Sequence, residues 1–260
     1  MEFTAKMIGR LWLFYFMATI ILLGPVFVYA LTAPLLLLGF RFPKIQRLGE
    51  RRMLHCVQFL LTLQPWLNLK SRIPMSLAEP KASGTPGCLF VSNHRSHLDV
   101  FLLISKIHGL RVFARRSLFS IPFLGVMMRL TRQIPADRGQ LHSFVSGMEA
   151  VRKKLSEGER VHIFPELTRC KPGLKGTQSF VLAPFHAAIQ EQVPIVPIVI
   201  LGSDNVWPRG KSRIEYRQPI QVRTLKTIAP GEFQSAEQLR DEVKRRIDEV
   251  LSLDLNSVAV

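Results

Sequence analysis

From Leu11 to Phe40 the chain runs thirty residues without a charge. Lys6 and Arg10 stand before this run, and Arg41, Lys44, Arg47, Arg51 and Arg52 follow it. As one α-helix it would be about 45 Å long, against a hydrocarbon slab of roughly 30 Å. Gly24-Pro25 and Pro34 interrupt it, and proline removes a backbone donor and bends a helix. Two arrangements satisfy the pattern: a single tilted, kinked span, or a re-entrant pair of short helices turning near Gly24-Pro25 within one leaflet. Basic residues on both flanks favour the hairpin. The heavier basic side, after Phe40, is expected on the cytoplasmic face. A cleavable secretory signal fits less well: its apolar region would be about half as long, and Tyr29-Ala30-Leu31-Thr32-Ala33 is an indifferent cleavage site.

Ile45 to Leu63 repeats apolar residues at helical spacing (Ile45, Leu48, Cys56, Leu60, Leu63), with Arg47, Arg51 and Arg52 off that stripe. A basic amphipathic helix beside an apolar run is expected in the membrane interface; packing on a domain core is the alternative. Pro74 to Gly87 lacks periodicity and reads as a connector. Strand and helix patterns then alternate. A strand at 87–91 leads to a helix at 97–107, and a strand at 111–115 follows. Leu141, Phe144, Val145, Met148, Val151 and Leu155 mark a further helix, stopped by Glu157-Gly158. A strand at 160–164 precedes a helix at 176–190, which Pro184 kinks or ends. Val193 to Leu201 is wholly apolar, as in a strand covered on both faces. Ser235 with Gln238 forms a capping-box pattern, opening a last helix with Leu239, Val243, Ile247 and Val250 as its stripe. The alternation predicts an α/β fold, a mostly parallel or mixed sheet flanked by helices, with an N-terminal helical membrane anchor. The expected division is a membrane-anchoring segment over 1–70 and a catalytic domain over 71–260.

Charge sharpens this picture. Lys and Arg number 35 against 19 Asp and Glu, a formal +16, yet 47% of the 260 residues are hydrophobic. That composition excludes a disordered polyelectrolyte. No helix-turn-helix, zinc-finger pattern or basic tail accompanies the charge, so no nucleic acid partner is expected. Anionic phospholipid headgroups are the more economical partner, and an anionic substrate gains from the same field. Cys56, Cys88 and Cys170 are far apart, which suggests neither a disulfide framework nor a zinc site, but three buried thiols in a reducing compartment.

In open α/β sheets, ligands gather beyond the carboxyl ends of strands, and two such ends here are polar. The first is Asn93-His94-Arg95-Ser96-His97-Leu98-Asp99. On one continuous helix His94 and Asp99 would be rotated about 140° apart. With His94 in the strand-to-helix turn and Asp99 in the first helical turn, the carboxylate reaches the imidazole. A carboxylate on one ring nitrogen fixes the tautomer and leaves the other nitrogen as a general base. The alternative is a polar helix start in which Ser96 or His97 caps the helix. The second end is Phe164-Pro165-Glu166-Leu167-Thr168-Arg169. Here Arg169 is suited to clamp a phosphate, and Glu166 and Thr168 to bond hydroxyls; a solvated turn is the alternative.

Together these strings resemble the glycerolipid acyltransferase family, whose best-known members acylate lysophosphatidic acid. Four blocks match in order between about Phe90 and Leu201. Asn93 to Asp99 is similar to the family's NHxSxxD block, with Asn93 and Ser96 as supporting positions. Arg115 to Gly125, followed by Ala136-Asp137-Arg138, looks like the second block. Phe164 to Arg169 looks like FPEGTR, and Val193 to Ile198 like VPIVPV. The resemblance implies that His94 is the general base and Asp99 its partner. Glu166, Thr168 and Arg169 would meet the acceptor, with Arg138 and Arg116 as further phosphate contacts. The donor would be an acyl thioester of coenzyme A or acyl carrier protein, with no metal and no cofactor, and membrane lipids the partners. Ile121 to Leu130 (Phe123, Met127, Met128) is either an acyl groove or ordinary core. One position departs: the family's Gly is Leu167 here. Glycine permits positive φ or close ligand approach, and leucine is expected to give up both, which bears on the acceptor. Lysophosphatidate leads, with lyso-forms of aminolipids behind it. An acyl-thioester hydrolase and a non-catalytic membrane protein of the same fold are the rival classes.

Overall fold

The computed structural model describes residues 2–79, 84–137 and 139–253. In chain order its helices and strands are α1 (Glu2–Pro25), α2 (Ala33–Gly39), α3 (Pro43–Thr62), β1 (Asn68–Arg72), β2 (Cys88–Ser92), α4 (Leu98–Ile104), β3 (Leu110–Arg115), α5 (Leu124–Leu130), β4 (Ile134–Ala136), α6 (Leu141–Ser156), β5 (Arg160–Ile163), α7 (Ala183–Gln190), β6 (Ile195–Leu201), α8 (Ser203–Val206), β7 (Pro219–Thr224) and α9 (Ala236–Leu253). The strands form one seven-stranded sheet in the order β1-β7-β6-β2-β5-β3-β4. β2 pairs in parallel with β5 and β6, and β3 in parallel with β5 and β4.

The chain divides into two compact units that do not follow a single cut. One comprises 1–80, 95–108 and 200–222; the other comprises 81–94, 109–199 and 223–260.

In the first unit the expected break at Gly24-Pro25 takes a definite form. α1 ends at Pro25, Val26–Ala30 continues as a π-helix, and α2 follows. Proline has no N–H to donate to the i−4 carbonyl and its ring crowds that carbonyl, which breaks the regular ladder there. Thr4–Pro25 is long and apolar enough to cross a membrane. One face of α1 is nonetheless docked on protein. Phe16 is fully buried, edge-on to Trp66, Phe101 and Trp207 at 5.6–5.9 Å, and Tyr15 Oη donates to the Leu63 carbonyl at 2.9 Å. Leu11, Phe14, Ile21 and Leu22 are exposed.

α3 forms where the pattern placed it, and its buried face is shared only in part with the expected stripe. Cys56 and Leu60 are inside as expected and Leu48 is exposed, while Gln46, Gly49, Glu50, Leu54, Val57 and Leu61 are also inside. α2 packs so closely on α3 that a Cβ at Gly39 would lie 2.6 Å from Gln46 Cα, and one at Gly49 2.9 Å from Leu36. That approach buries two polar side chains, which answer each other: Gln46 Nε2 donates to Glu50 Oε1 at 3.0 Å.

In the second unit β2, β5 and β6 are buried nearly throughout. α6 buries Met148, Val151 and Leu155, but its first turn leaves Leu141 and Val145 in solvent. α9 buries Leu239, Val243, Ile247 and Leu251. Its start has the expected cap, with the Gln238 N–H donated to Ser235 Oγ and the Gln234 N–H to Gln238 Oε1. The helix expected over 176–190 is confined to α7. Pro184 sits in its first turn, where its missing N–H costs nothing, and 176–182 is irregular. Cys56 and Cys170 are buried thiols and Cys88 is half-buried; burial pushes the Cys56 thiol up, against the opposing charge of Arg52.

Candidate active site

In the second unit three parallel strands end side by side, and each delivers a motif. β2 runs into Asn93-His94, β5 into Phe164–Cys170, and β3 into Arg116. Asn93 is fully buried. His94 is held through its backbone by the neighbouring strand end. Its N–H is donated to Glu166 Oε1 at 2.9 Å, and its carbonyl accepts the Cys170 N–H at 2.6 Å. Its imidazole stacks on Phe164, with ring centroids 3.9 Å apart and planes 20° from parallel. The ring is half-buried, which leaves it reachable.

Glu166 is 3% exposed. Its second oxygen accepts the Gln178 backbone N–H at 2.9 Å and Gln178 Nε2 at 3.3 Å, and Gln178 Nε2 also approaches the Arg169 carbonyl at 3.4 Å. The carboxylate therefore ties the His94 turn to the 176–182 segment. Thr168 and Arg169 are half-buried on the same turn.

That turn closes with the Leu167 N–H donated to the Phe164 carbonyl at 2.9 Å, and Leu167 has φ +52°. The expectation that leucine would surrender the glycine-like backbone is corrected here. The turn is fixed by what its neighbours bind, so the side chain is carried into the left-handed region.

His162 is a residue that motif reading missed. It lies on β5, fully buried, edge-on to Phe164 at 4.4 Å. The Ser92 hydroxyl donates its one hydrogen to the Asn93 carbonyl, so at 2.9 Å it accepts from His162 Nε2. Nδ1 is then the bare nitrogen, and it has no partner among the described residues. Burial first, and the His94 charge second, hold His162 down at about pKa 3, so it is neutral. The only sequence signal was a histidine between two β-branched apolar residues, Val161 and Ile163, of a short strand.

Arg116 bonds Ser143 Oγ at 3.2 Å and pairs with Asp137 at 3.5 Å. Arg138 lies outside the described residues. Of the apolar stretch after β3, Gly125, Met127 and Leu130 are inside and Phe123, Leu124 and Val126 outside.

Asp99 belongs to the first unit. It is fully buried in the first turn of α4, and its Oδ2 accepts the N–H groups of Arg95 and Ser96 at 2.7 and 2.8 Å. Ser96 Oγ accepts the Leu98 N–H at 3.3 Å and donates to the Trp207 carbonyl at 3.1 Å. Ser96, and not His97, caps the turn; the His97 ring packs on Trp207 at 4.9 Å. Arg95 pairs with Asp204 at 3.0 Å.

The family described as Acyltransferase matches residues 72–201. A 1-acyl-sn-glycerol-3-phosphate acyltransferase of Brassica napus chloroplasts is 31% identical over 172 residues, which is 66% of this chain and 48% of that protein. A protein of the same description from Haemophilus influenzae is 28% identical over 163 residues, 60% of this chain and 65% of that one. The chain spans about half the length of the first plant relatives it matches. Among solved structures, the 1-acyl-sn-glycerophosphate acyltransferase PlsC of Thermotoga maritima shares the fold, with a TM-score of 0.76 over 98% of both chains at 19% identity.

Proposed function

Since this chain belongs to the acyltransferase family, we propose that it transfers a fatty acyl group from an acyl thioester to the free hydroxyl of a lysophospholipid. The acceptor in this reading is 1-acylglycerol-3-phosphate and the product phosphatidic acid. The names of its relatives support that acceptor. The observation that carries the reading is the imidazole of His94, held through its backbone at the carboxyl end of a central strand yet half-open.

The chemistry needs one base. His94 takes the proton from the acceptor hydroxyl as its oxygen attacks the thioester carbonyl. The tetrahedral intermediate collapses, the C–S bond breaks, and the imidazolium returns its proton to the departing thiolate. No covalent enzyme intermediate forms. Asp99 is assigned as the partner that stabilises imidazolium, while its Oδ2 fixes the turn directly after His94. Arg169, with Thr168, is assigned to the acceptor phosphate, a task suited to a guanidinium fork. The donor is acyl coenzyme A or acyl carrier protein.

A lipid acceptor leaves the bilayer at a cost of about 0.8 kcal/mol for each CH₂ exposed, so the enzyme must work at the surface. The exposed face of α1 and its basic flanks provide the anchor in this reading, with the rest of the chain on the cytoplasmic side.

The test is product analysis by mass spectrometry with a panel of lysolipids and both donor types. Parent protein is expected to form phosphatidic acid, and His94→Ala to form none while sedimenting with vesicles as before. Turnover retained by His94→Ala overturns the assignment. Release of free fatty acid unaffected by acceptor would make the protein a hydrolase instead.

A further inference from the structure

The second unit carries an apolar surface of its own. Between β3 and β4 the chain forms a 3-10 turn over Arg116–Ser120 and then α5. Ile121, Phe123, Leu124 and Val126 are all exposed there, Phe123 by 59%. On α6, Leu141, 79% exposed, and Val145 are exposed as well. The two segments are fastened together, because Ser143 Oγ on α6 receives both the Arg116 guanidinium and the Asp137 N–H. Phe123 holds φ +61° with its ring outward, a conformation that bulky residues adopt only where their surroundings impose it. The chain folds back closely there: a Cβ at Gly125 would lie 2.0 Å from the Phe119 carbonyl oxygen. The loop presents its apolar side chains outward.

The rim is basic. Arg115, Arg116, Arg129 and Arg132 fall within this stretch, against one acidic residue at its end, Asp137, which pairs with Arg116 at 3.5 Å. An open pocket of about 350 Å³ is lined by Arg116, Phe119, Arg129, Gln133 and Pro135.

We propose that this surface is a second membrane contact, in which the Phe123 loop enters the acyl region of an anionic leaflet while the arginines around it meet the phosphates. Apolar side chains within a basic rim match a bilayer in depth, hydrocarbon inside and anions outside. The Arg116–Arg129 pocket is the place for one headgroup. An acidic protein partner would satisfy the arginines but leave six apolar side chains to be matched separately.

The experiment uses the full chain in phosphatidylcholine vesicles, with or without phosphatidylglycerol, whose acyl chains carry bromine. Phe123→Trp and Leu141→Trp each add an indole to the parent's three tryptophans. Leu253→Trp, at the exposed end of α9, is the control. The added indoles at 123 and 141 are expected to be quenched about twofold or more beyond the control in anionic vesicles, and less at high salt. Quenching equal to the control overturns the proposal. So does an indole at 123 that ignores the vesicles but shifts to the blue with an acidic carrier protein or with the protein's own concentration, which would assign the surface to a protein. The measurement reads depth and not turnover, so its failure leaves the acyl-transfer reading intact.

Discussion

Glu166 accepts the backbone N–H of His94 with one carboxylate oxygen and the backbone N–H of Gln178 with the other, each at 2.9 Å. A carboxylate so engaged sets where the His94 backbone sits. Hydrogen bonds to a charged group contribute about 1.5–3 kcal/mol, and a glutamine would turn one acceptor into a donor facing an N–H. Glu166→Gln is expected to lower kcat about ten- to a hundredfold with little change in the KM for lysolipid. Steady-state kinetics over both substrates check this. A raised lysolipid KM at unchanged kcat would instead support the acceptor-binding role that the family resemblance implies for Glu166.

Leu167 pays for its turn in backbone strain, since an L-residue in the left-handed region costs about 1–2 kcal/mol. Glycine removes that strain and loses about 0.4–1 kcal/mol through the unfolded chain. Leu167→Gly is therefore expected to leave stability unchanged or raise it by at most about 1.6 kcal/mol. Leu167→Val, β-branched at positive φ, should lower the thermal midpoint clearly. Calorimetry in detergent compares the three proteins.

His162 gives the protein a pH dependence. Its folded pKa is about 3 against an ordinary 6.5. As pH falls below 6.5 the unfolded chain takes up a proton that the folded one refuses. Stability from this residue is then lost, by up to about 1.4 kcal/mol per pH unit. The thermal midpoint is expected to fall between pH 6.5 and pH 4. His162→Gln, which keeps a donor for Ser92, should flatten that slope; an unchanged slope would show that other groups set it.

Gly39 lets α2 lie against α3. Gly39→Ala places a methyl group 2.6 Å from Gln46 Cα, so backbone must move, and overpacking of this kind costs about 1–3 kcal/mol. A lowered midpoint with kcat retained is expected. The parent midpoint in this variant would refute the close packing of the two helices.

The motif strings were legible because they are local. Asn93 to Asp99 and Phe164 to Arg169 are contiguous strings at strand ends, and the strands themselves are short apolar runs with turn residues around them. Other elements left no such mark. β1, Asn68–Arg72, is polar and half-exposed, and β4 is three residues containing a proline. Gln46 and Glu50 break the periodicity of α3 because they satisfy each other within a helix pair.

Sequence alone determined the apolar N-terminal run, the alternation of strand and helix, and the order of the motifs, since each is written in the spacing of neighbouring residues. Tertiary structure decided the strand order and the clamp on the His94 backbone. It also decided the burial of His162, and that Leu167 would carry a backbone suited to glycine. Each of these joins segments distant in the chain, as Glu166 is joined to His94 across 72 residues, and spacing holds no record of which distant groups will meet.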